Sequence, residues 1–363
     1  MSIAATTVPP QLIEAIKCAS PTENNNIQLR QEALTFLEQV KNNASETWKY
    51  CLGLFLTNTV GTEARIWVLS VVDVLISNHF HTLTNDDIFA IQEALFEYVS
   101  REYVQGGPEA DLSFLRNRLA HTLTLFTIQT YDKTHPNIII DFLSLIKQGN
   151  SLNQRTTPLV LHILDEINLE LSDSIMRAAR DWSSERHIRD GHIRDAIRSK
   201  DAPTIIENLL NIVRELTVMY ANGGSDLWSL KAIEESLALS INVFAGWSHW
   251  VDISLSFTPQ SLELFYQSLQ HPSTQVKVAT NGYFCKILQK GIQDVTAKLE
   301  VIRIVNVSEV IGQIEQASRD DTSDDNILFR ESCAKLVNVA GLEILKLCDE
   351  VGYKFLKGIH LTQ

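Results

Sequence analysis

Residues 45–80 read S-E-T-W-K-Y-C-L-G-L-F-L-T-N-T-V-G-T-E-A-R-I-W-V-L-S-V-V-D-V-L-I-S-N-H-F, and this stretch decides the fold. Ser45 is placed to cap a helix from about Glu46 to Thr57. That helix sets Trp48, Cys51, Leu52 and Phe55 on one side, at the i, i+3, i+4, i+7 spacing of an amphipathic element. After Gly61, the run from Thr62 to Phe80 is apolar around most of its circumference. A helix of that kind must be covered on two sides. An amphipathic helix followed by one that needs two neighbours is the unit of a stacked helical array.

The same unit repeats outward in both directions. On the N-terminal side, helices over about 9–19 and 25–42 are expected, the second with Ala33, Phe36, Leu37 and Val40 on one face. On the C-terminal side, Thr84-Asn85-Asp86-Asp87 opens a helix to about Tyr103, and Gly106-Gly107-Pro108 breaks the chain before a partner over about 111–131. Further pairs are read at about 136–147 with 158–171, 201–221 with 225–247, 258–270 with 272–290, and 294–318 with 324–356. Pro136, Pro158, Pro203, Pro259 and Pro272 sit where first helical turns are expected. In the helix from Asp201, residues Ile206, Leu209, Leu210, Val213, Leu216 and Tyr220 form a stripe of helical period. No stretch reads convincingly as a strand. The pairs recur near the 40–47-residue spacing of HEAT-type repeats, stretched by insertions. The expected fold is therefore all-α, a HEAT-repeat superhelical solenoid of antiparallel helix pairs, with an irregular all-α globule as the alternative. Two segments leave the rhythm: the arginine-rich 172–200, and the charged loop R-D-D-T-S-D-D at 319–325.

Composition agrees with a folded helical chain and excludes several functions. The 363 residues are 45% hydrophobic and 21% charged, which is ordinary for a globular protein, and 9 Pro with 15 Gly are too few for a turn-rich β architecture. A net charge of −13 excludes a chain that holds nucleic acid by being basic all over. Cys18, Cys51, Cys285, Cys333 and Cys348 are odd in number and widely spaced, as reduced thiols of an intracellular protein would be. Residues 1–10 show neither the basic region nor the apolar region of a secretory leader, and no apolar run approaches the length of a membrane span, so no membrane insertion is expected. Phosphate-cradling, dinucleotide-binding, nucleophile-elbow and zinc-protease motifs are all missing, so an enzyme is not expected. The nearest histidine pairs, His79 with His81 and His187 with His192, lack Cys or carboxylate partners at metal-binding spacing. Trp247 and Trp250, at i, i+3 near a helix end, read as core.

Several motifs carry a resemblance. Q-E-A-L-T-F-L at 31–37, S-E-T-W-K-Y-C at 45–51 and R-I-W-V-L-S-V-V-D-V-L at 65–75 resemble, in that order, the N-terminal Ran-binding segment of the importin-β (karyopherin) superfamily. The helix F-L-R-N-R-L-A at 114–120 resembles the exportin-type motif. I-L-D-E at 163–166, H-I-R-D-G-H-I-R-D-A-I-R at 187–198, and A-G-W-S-H-W-V-D-I-S-L at 245–255 are similar to the exportin-T family of tRNA exportins. The likeness runs from about residue 10 to 350, to the N-terminal part of that family.

The resemblance implies a carrier without catalysis or cofactor, GTP entering only on the partner Ran. Such a carrier binds Ran·GTP and tRNA cooperatively and shuttles as a monomer between nucleus and cytoplasm through contacts with nuclear pore proteins. It implies Ran-binding repeats over 1–130 and exportin-type repeats over 131–363, with the arginine-rich insertion around 172–200. Arg30, Arg65, Arg116, Asn117 and Arg118, on second helices of successive repeats, are the candidate Ran contacts, with Asp165 and Glu166 further along. For each, a solvated side chain or a pair with a neighbouring opposite charge is the competing reading. Arg177, Arg189, Arg194, Arg198 and Lys200 lie in the net-positive segment of an acidic chain and are the candidate tRNA contacts, with Lys277, Lys286 and Lys290 continuing the set. Asp181, Glu185, Asp190 and Asp195 are interleaved with the arginines, so a connector laced with salt bridges competes with phosphate contact. Two further functions stay open: a karyopherin for a protein or another RNA, and a helical-repeat scaffold that ignores Ran.

Overall fold

The computed structural model describes residues 7–20, 26–58, 60–172, 183–225, 227–309, 311–312 and 323–360, and several of its helices start on a side chain that accepts from a free amide group. Helices α1 (Pro10–Ala19) and α2 (Ile27–Asn42) form the first pair, and the Asn26 side chain accepts from the amides of Gln28 and Leu29. Helices α3 (Ala44–Leu56) and α4 (Thr62–Asn78) form the second. The cap position of α3 is Asn43 rather than Ser45, because the turn after α2 is a single residue long. Helix α5 (Asn85–Val99) opens on a reciprocal capping box of Thr84 and Asp87, then runs into a π-type turn, Ser100–Val104. A 3₁₀ turn, Pro108–Asp111, leads into α6 (Ser113–Thr130). Helix α7 (Ile138–Ser144) is short, and a two-residue ribbon follows, β1 (Lys147–Gln148) against β2 (Ser151–Leu152), turning at Gly149 with φ 64°. These are the only strands among the described residues. Helix α8 (Thr156–Ser172) completes the group.

The segment that leaves the repeat rhythm in the sequence contains a continuous helix, α9 (Ser184–Lys200). Then come α10 (Ala202–Ala221), α11 (Leu230–Trp250), the single turn α12 (Ile253–Ser256), α13 (Pro259–Ser268), α14 (Thr274–Leu288), α15 (Val295–Val305) and α16 (Asp324–His360). Helix α15 is shorter than its sequence suggests because Asn306 adopts φ 42°, a left-handed stop. Pro136 and Pro272 lie two residues before α7 and α14 rather than inside their first turns. Arg177 and residues 319–322 of the charged loop lie outside the described residues.

Packing groups the chain into two compact units, Met1–Ile193 and Arg194–Gln363, and α9 begins in one and ends in the other. The boundary read at 130/131 falls after α6, inside the first unit. In that unit the second helix of each pair stacks on the next: α2 on α4, α4 on α6, α6 on α8. The first helices line up behind them, α1 on α2 and α3 on α4. Val68, Leu69, Val71, Val72, Leu75 and Ile76 of α4 are all 0% exposed, which is what its all-round apolar pattern demands. Each such burial contributes about 1.5–3 kcal/mol. The second unit repeats the scheme, with α11 on α14 and α14 on α16, and α10, α13 and α15 as outer helices. Both units are thus all-α stacks of HEAT-like helix pairs.

One device recurs at helix ends. The last carbonyls of a helix have no partner within it and carry the negative end of its dipole. Here a cation from a later element satisfies them: Arg30 Nε donates to Ala19 O of α1 (3.2 Å) and Arg101 Nη1 to Leu56 O of α3 (3.0 Å). Lys290 Nζ donates to Ser248 O (2.9 Å) and His249 O (3.1 Å) of α11, and Lys298 Nζ to Leu288 O and Lys290 O at the end of α14.

Candidate interaction surfaces

Helix α6 starts without a side-chain cap on Leu112, and its first turn projects the exposed Phe114 and Asn117 with half-buried Arg116 and Arg118. Arg118 pairs with Asp73 of α4, and Thr122 donates to the same carboxylate at 2.6 Å. Burial pushes the Asp73 carboxyl up from its usual range, and Arg118 and Thr122 oppose that shift. On the other flank of α6, His121 Nδ1 lies 3.1 Å from Glu166 Oε2 of α8, a hydrogen bond that raises the imidazole pKa. Asp165 is pushed up to about 6, by burial first and then by Glu166. His162 is pushed down to about 4, by burial first and then by Arg116. Arg116, Arg118, Asp165 and Glu166 are therefore brought together along α4, α6 and α8, and the rungs that join them include Asp73, His121 and His162.

Arg30 and Arg65 lie elsewhere in the geometry. Arg30 is half-buried on the end of α1. Arg65 is 2% exposed. Its guanidinium donates to Phe55 O and to Thr57 O (3.2 Å), pairs with Glu109 at 2.5 Å, and stands 5.3 Å from the Tyr98 ring centroid. Arg65, a candidate Ran contact by resemblance with a carboxylate pair among the competing readings, is buried in its pair with Glu109 and closes the end of α3.

The arginine-rich helix divides in two. Arg186 pairs with Glu170 of α8 (3.2 Å) and with Asp190 (3.5 Å), carboxylates that are 3% and 2% exposed. Arg189 pairs with Asp190 at 2.8 Å and donates to Gln129 Oε1 of α6 at 2.9 Å. Gln129 in turn donates to Ile76 O near the end of α4. Arg189, a candidate RNA contact with a salt-bridged connector as the competing reading, is thus tied to Asp190 and to α6.

Past Gly191 the arginines face different partners. Arg194 and Arg198 lie 3.4 and 3.6 Å from Asp195, whose side chain is 60% exposed. The Arg198 guanidinium also stands 6.0 Å over the Trp250 ring. Lys200 and Lys286 are exposed. Lys286 and Lys290 help to lower the pKa of His249, after burial, and Arg198 acts in the same direction on Lys290. Arg198, His249, Trp250, Lys286 and Lys290 therefore share one neighbourhood at the ends of α9, α11 and α14. Lys290 is half-buried with its donors on the end of α11, and burial lowers it to about 8 although Asp252 resists. Lys277 is apart from this group at the start of α14, 4.7 Å over the Phe329 ring. Trp247 is fully buried as expected, whereas Trp250 is only partly covered.

Among the described residues no group of three or more His, Cys, Asp or Glu side chains is arranged to hold a metal, and no helix is long and apolar enough to cross a membrane. Sequence reading missed Asp73, Glu109, His121 and His162. Only Asp73, a lone charge within the apolar run of α4, carries a local signal, because an acid there needs a partner.

Comparison with known proteins identifies the setting of these surfaces. The family described as Exportin 1-like protein matches residues 112–281, from the start of α6 into α14. A protein named Exportin-T from Laccaria bicolor is 34% identical over 358 residues, covering 94% of this chain and 33% of that relative. Exportin-T of Coprinopsis cinerea is 32% identical over 361 residues, covering 94% of this chain and 34% of the relative, and that of Mycosarcoma maydis is 30% identical over 384 residues with the same coverage. The chain spans about a third of the length of these relatives. The α6 motif and the W-x-x-W-V-D-I-S-L run both lie inside residues 112–281, and over 94% of its length the chain is similar to proteins named Exportin-T.

Proposed function

We propose that this chain acts within a nuclear export carrier, binding Ran·GTP along the α4, α6 and α8 row and tRNA at the ends of α9, α11 and α14. The carrier takes tRNA to the cytoplasm as a monomer through contacts with nuclear pore proteins. It performs no catalysis and holds no cofactor of its own, GTP arriving on Ran. The observation that supports this most is that the family match at 112–281 contains both the charged first turn of α6 and the outward half of α9. On the Ran side the contact set is Arg116, Asn117, Arg118, Asp165 and Glu166, with Arg30 at its edge. On the RNA side it is Arg194, Arg198, Lys200 and Lys286. Arg and Lys suit a duplex whose base edges lie in a deep, narrow groove, since they read phosphate and shape. An array in which each pair touches only its neighbours flexes readily, so two ligands that favour one curvature strengthen each other.

The test is the affinity of this chain for Ran locked in its GTP form, with and without saturating tRNA. The expected result is that tRNA tightens Ran·GTP binding and that Ran·GTP tightens tRNA binding by the same factor. Ran·GTP binding with no response to tRNA assigns the chain a different cargo. Absence of Ran·GTP binding overturns the carrier reading in favour of a Ran-independent scaffold.

A further inference from the structure

The segment between α5 and α6 holds a dense buried charge network that the surfaces above do not use. Glu109 Oε2 accepts a hydrogen bond from Tyr98 OH at 2.7 Å and pairs with Arg65 at 2.5 Å. Glu102, 5% exposed, accepts from Arg101 Nε at 2.9 Å and from the amide of Glu109 at 3.2 Å. Arg65 and Arg101 both close the end of α3. Tyr98 packs on Phe55 of α3 with ring centroids 4.5 Å apart. The network therefore ties α3 and α4 to the segment that starts α6.

The backbone there is shaped for the same purpose. The π-type turn puts Glu102 inward and is closed by Gln105 N to Ser100 O (2.9 Å) and Gly107 N to Glu102 O (2.8 Å). Gly106 has φ 87°, where a side chain is strained, and a Cβ on Gly107 would collide with the Glu102 carboxylate. Asp111, at the end of the 3₁₀ turn, pairs with Arg155 at 3.3 Å. Helix α6 has no side-chain cap of its own, so this segment is what fixes where its first turn lies.

The backbone carries the network to the first turn itself, Leu112 N donating to Glu109 O (3.1 Å) and Arg116 N to Leu112 O (3.0 Å). Tyr103 is fully buried, and Arg116 counters the burial-driven rise in its pKa. Arg116 also acts on His162 of α8. The first turn of α6 is thus held between the network on one side and α8 on the other.

From this arrangement we infer that Glu109, acting with Arg65 and Tyr98, is a positioning residue for Ran·GTP recognition: it sets the first turn of α6 so that Arg116, Asn117 and Arg118 are presented in register with α4 and α8. The inference rests on the proposal that this turn contacts Ran.

A double-mutant cycle tests it on the 363-residue chain, with Ran·GTP affinity as the readout and thermal unfolding measured in parallel. Glu109→Gln keeps an acceptor for Tyr98 but removes the charge facing Arg65, and it is expected to weaken Ran·GTP binding about tenfold. In a chain already carrying Arg116→Ala and Arg118→Ala, the same change is expected to add almost nothing, because the groups it positions are gone. A residue important only for stability would give additive losses. Tyr98→Phe, which removes one hydrogen bond and leaves the Arg65 pair, is expected to give a smaller loss with the same non-additivity, and it serves if Glu109→Gln does not fold. Additive losses, or unchanged affinity for Glu109→Gln and Tyr98→Phe, overturn the positioning role while leaving the Ran surface intact. Unchanged affinity for the arginine pair alone overturns the Ran surface and the positioning role together.

Discussion

The two halves of α9 use the same residue types to different ends. Before Gly191, Arg186 and Arg189 reach Glu170 and Asp190, carboxylates almost wholly out of solvent, and Gln129 of a distant helix. After it, Arg194 and Arg198 reach the exposed Asp195 and the face of Trp250. An ion pair whose acid is buried cannot be broken without leaving a charge poorly solvated, so the first half is structural. A pair whose acid is exposed holds by about 0–1 kcal/mol and yields easily to a phosphate. Within α9, the burial of each arginine's partner separates the two halves where the local density of positive charge does not.

The largest effect expected from this contrast is on stability. Asp190→Ala strips Arg186 and Arg189 of their shared carboxylate and should cost about 1–3 kcal/mol in denaturant unfolding. Asp195→Ala should stay within about 0.5 kcal/mol. Equal costs would erase the distinction between the halves.

A similar contrast separates two lysines on α14 and just beyond it. Lys290→Met removes the donor that serves the end of α11 and should cost about 1–2 kcal/mol, whereas Lys286→Met should be neutral to within about 0.5 kcal/mol. The comparison sharpens if amide exchange after Lys290→Met speeds up in the last turn of α11 and nowhere else.

A further contrast concerns pH and two residues on one face of α8. With His162 held down to about 4, the unfolded chain binds more protons between that value and 6.5, so this group's contribution to stability rises with pH there. With Asp165 pushed up to about 6, the native chain holds the extra proton between 3.8 and that value, so its contribution falls with pH. The two oppose each other over most of one window. Asp165→Asn should therefore steepen the rise of stability from about pH 4 to 6, and His162→Gln should turn it into a fall, each by at most about 1.4 kcal/mol per pH unit. Parallel profiles for both variants and the wild type would show that neither group titrates as its surroundings indicate.

How much of this was legible in the sequence follows from where each signal resides. The second-helix row was legible because α4 is apolar all round, and such a helix has one physical solution. The starts of α5 and α13 were legible from Thr84 with Asp87 and from Thr258 with Pro259, since a cap is a local event. The helicity of α9 was not, because its polar sequence gives no strong apolar stripe and its order comes in part from ion pairs to α8 and a hydrogen bond to α6. The burial of Arg65 was equally hidden: an arginine on an apolar helix reads as a surface charge until Glu109, contributed by another repeat, is placed beside it. The candidate surfaces were legible as residue types through the family's motifs. Their division into available and committed cations was not, because it depends on partners distant in the chain.

Salt dependence of tRNA binding in the presence of Ran·GTP tests that division most directly. Removing one phosphate-binding cation lowers the slope of log K against log salt by about 1. The triple variant Arg194→Ala, Arg198→Ala and Lys286→Ala is expected to weaken binding alike across tRNA species and to flatten the slope by about 2–3. Arg186→Ala with Arg189→Ala is expected to lower thermal stability while keeping the wild-type slope. A slope unchanged by the outward triple, or flattened by the inner pair, would contradict the assignment of RNA contact to the outward half of α9.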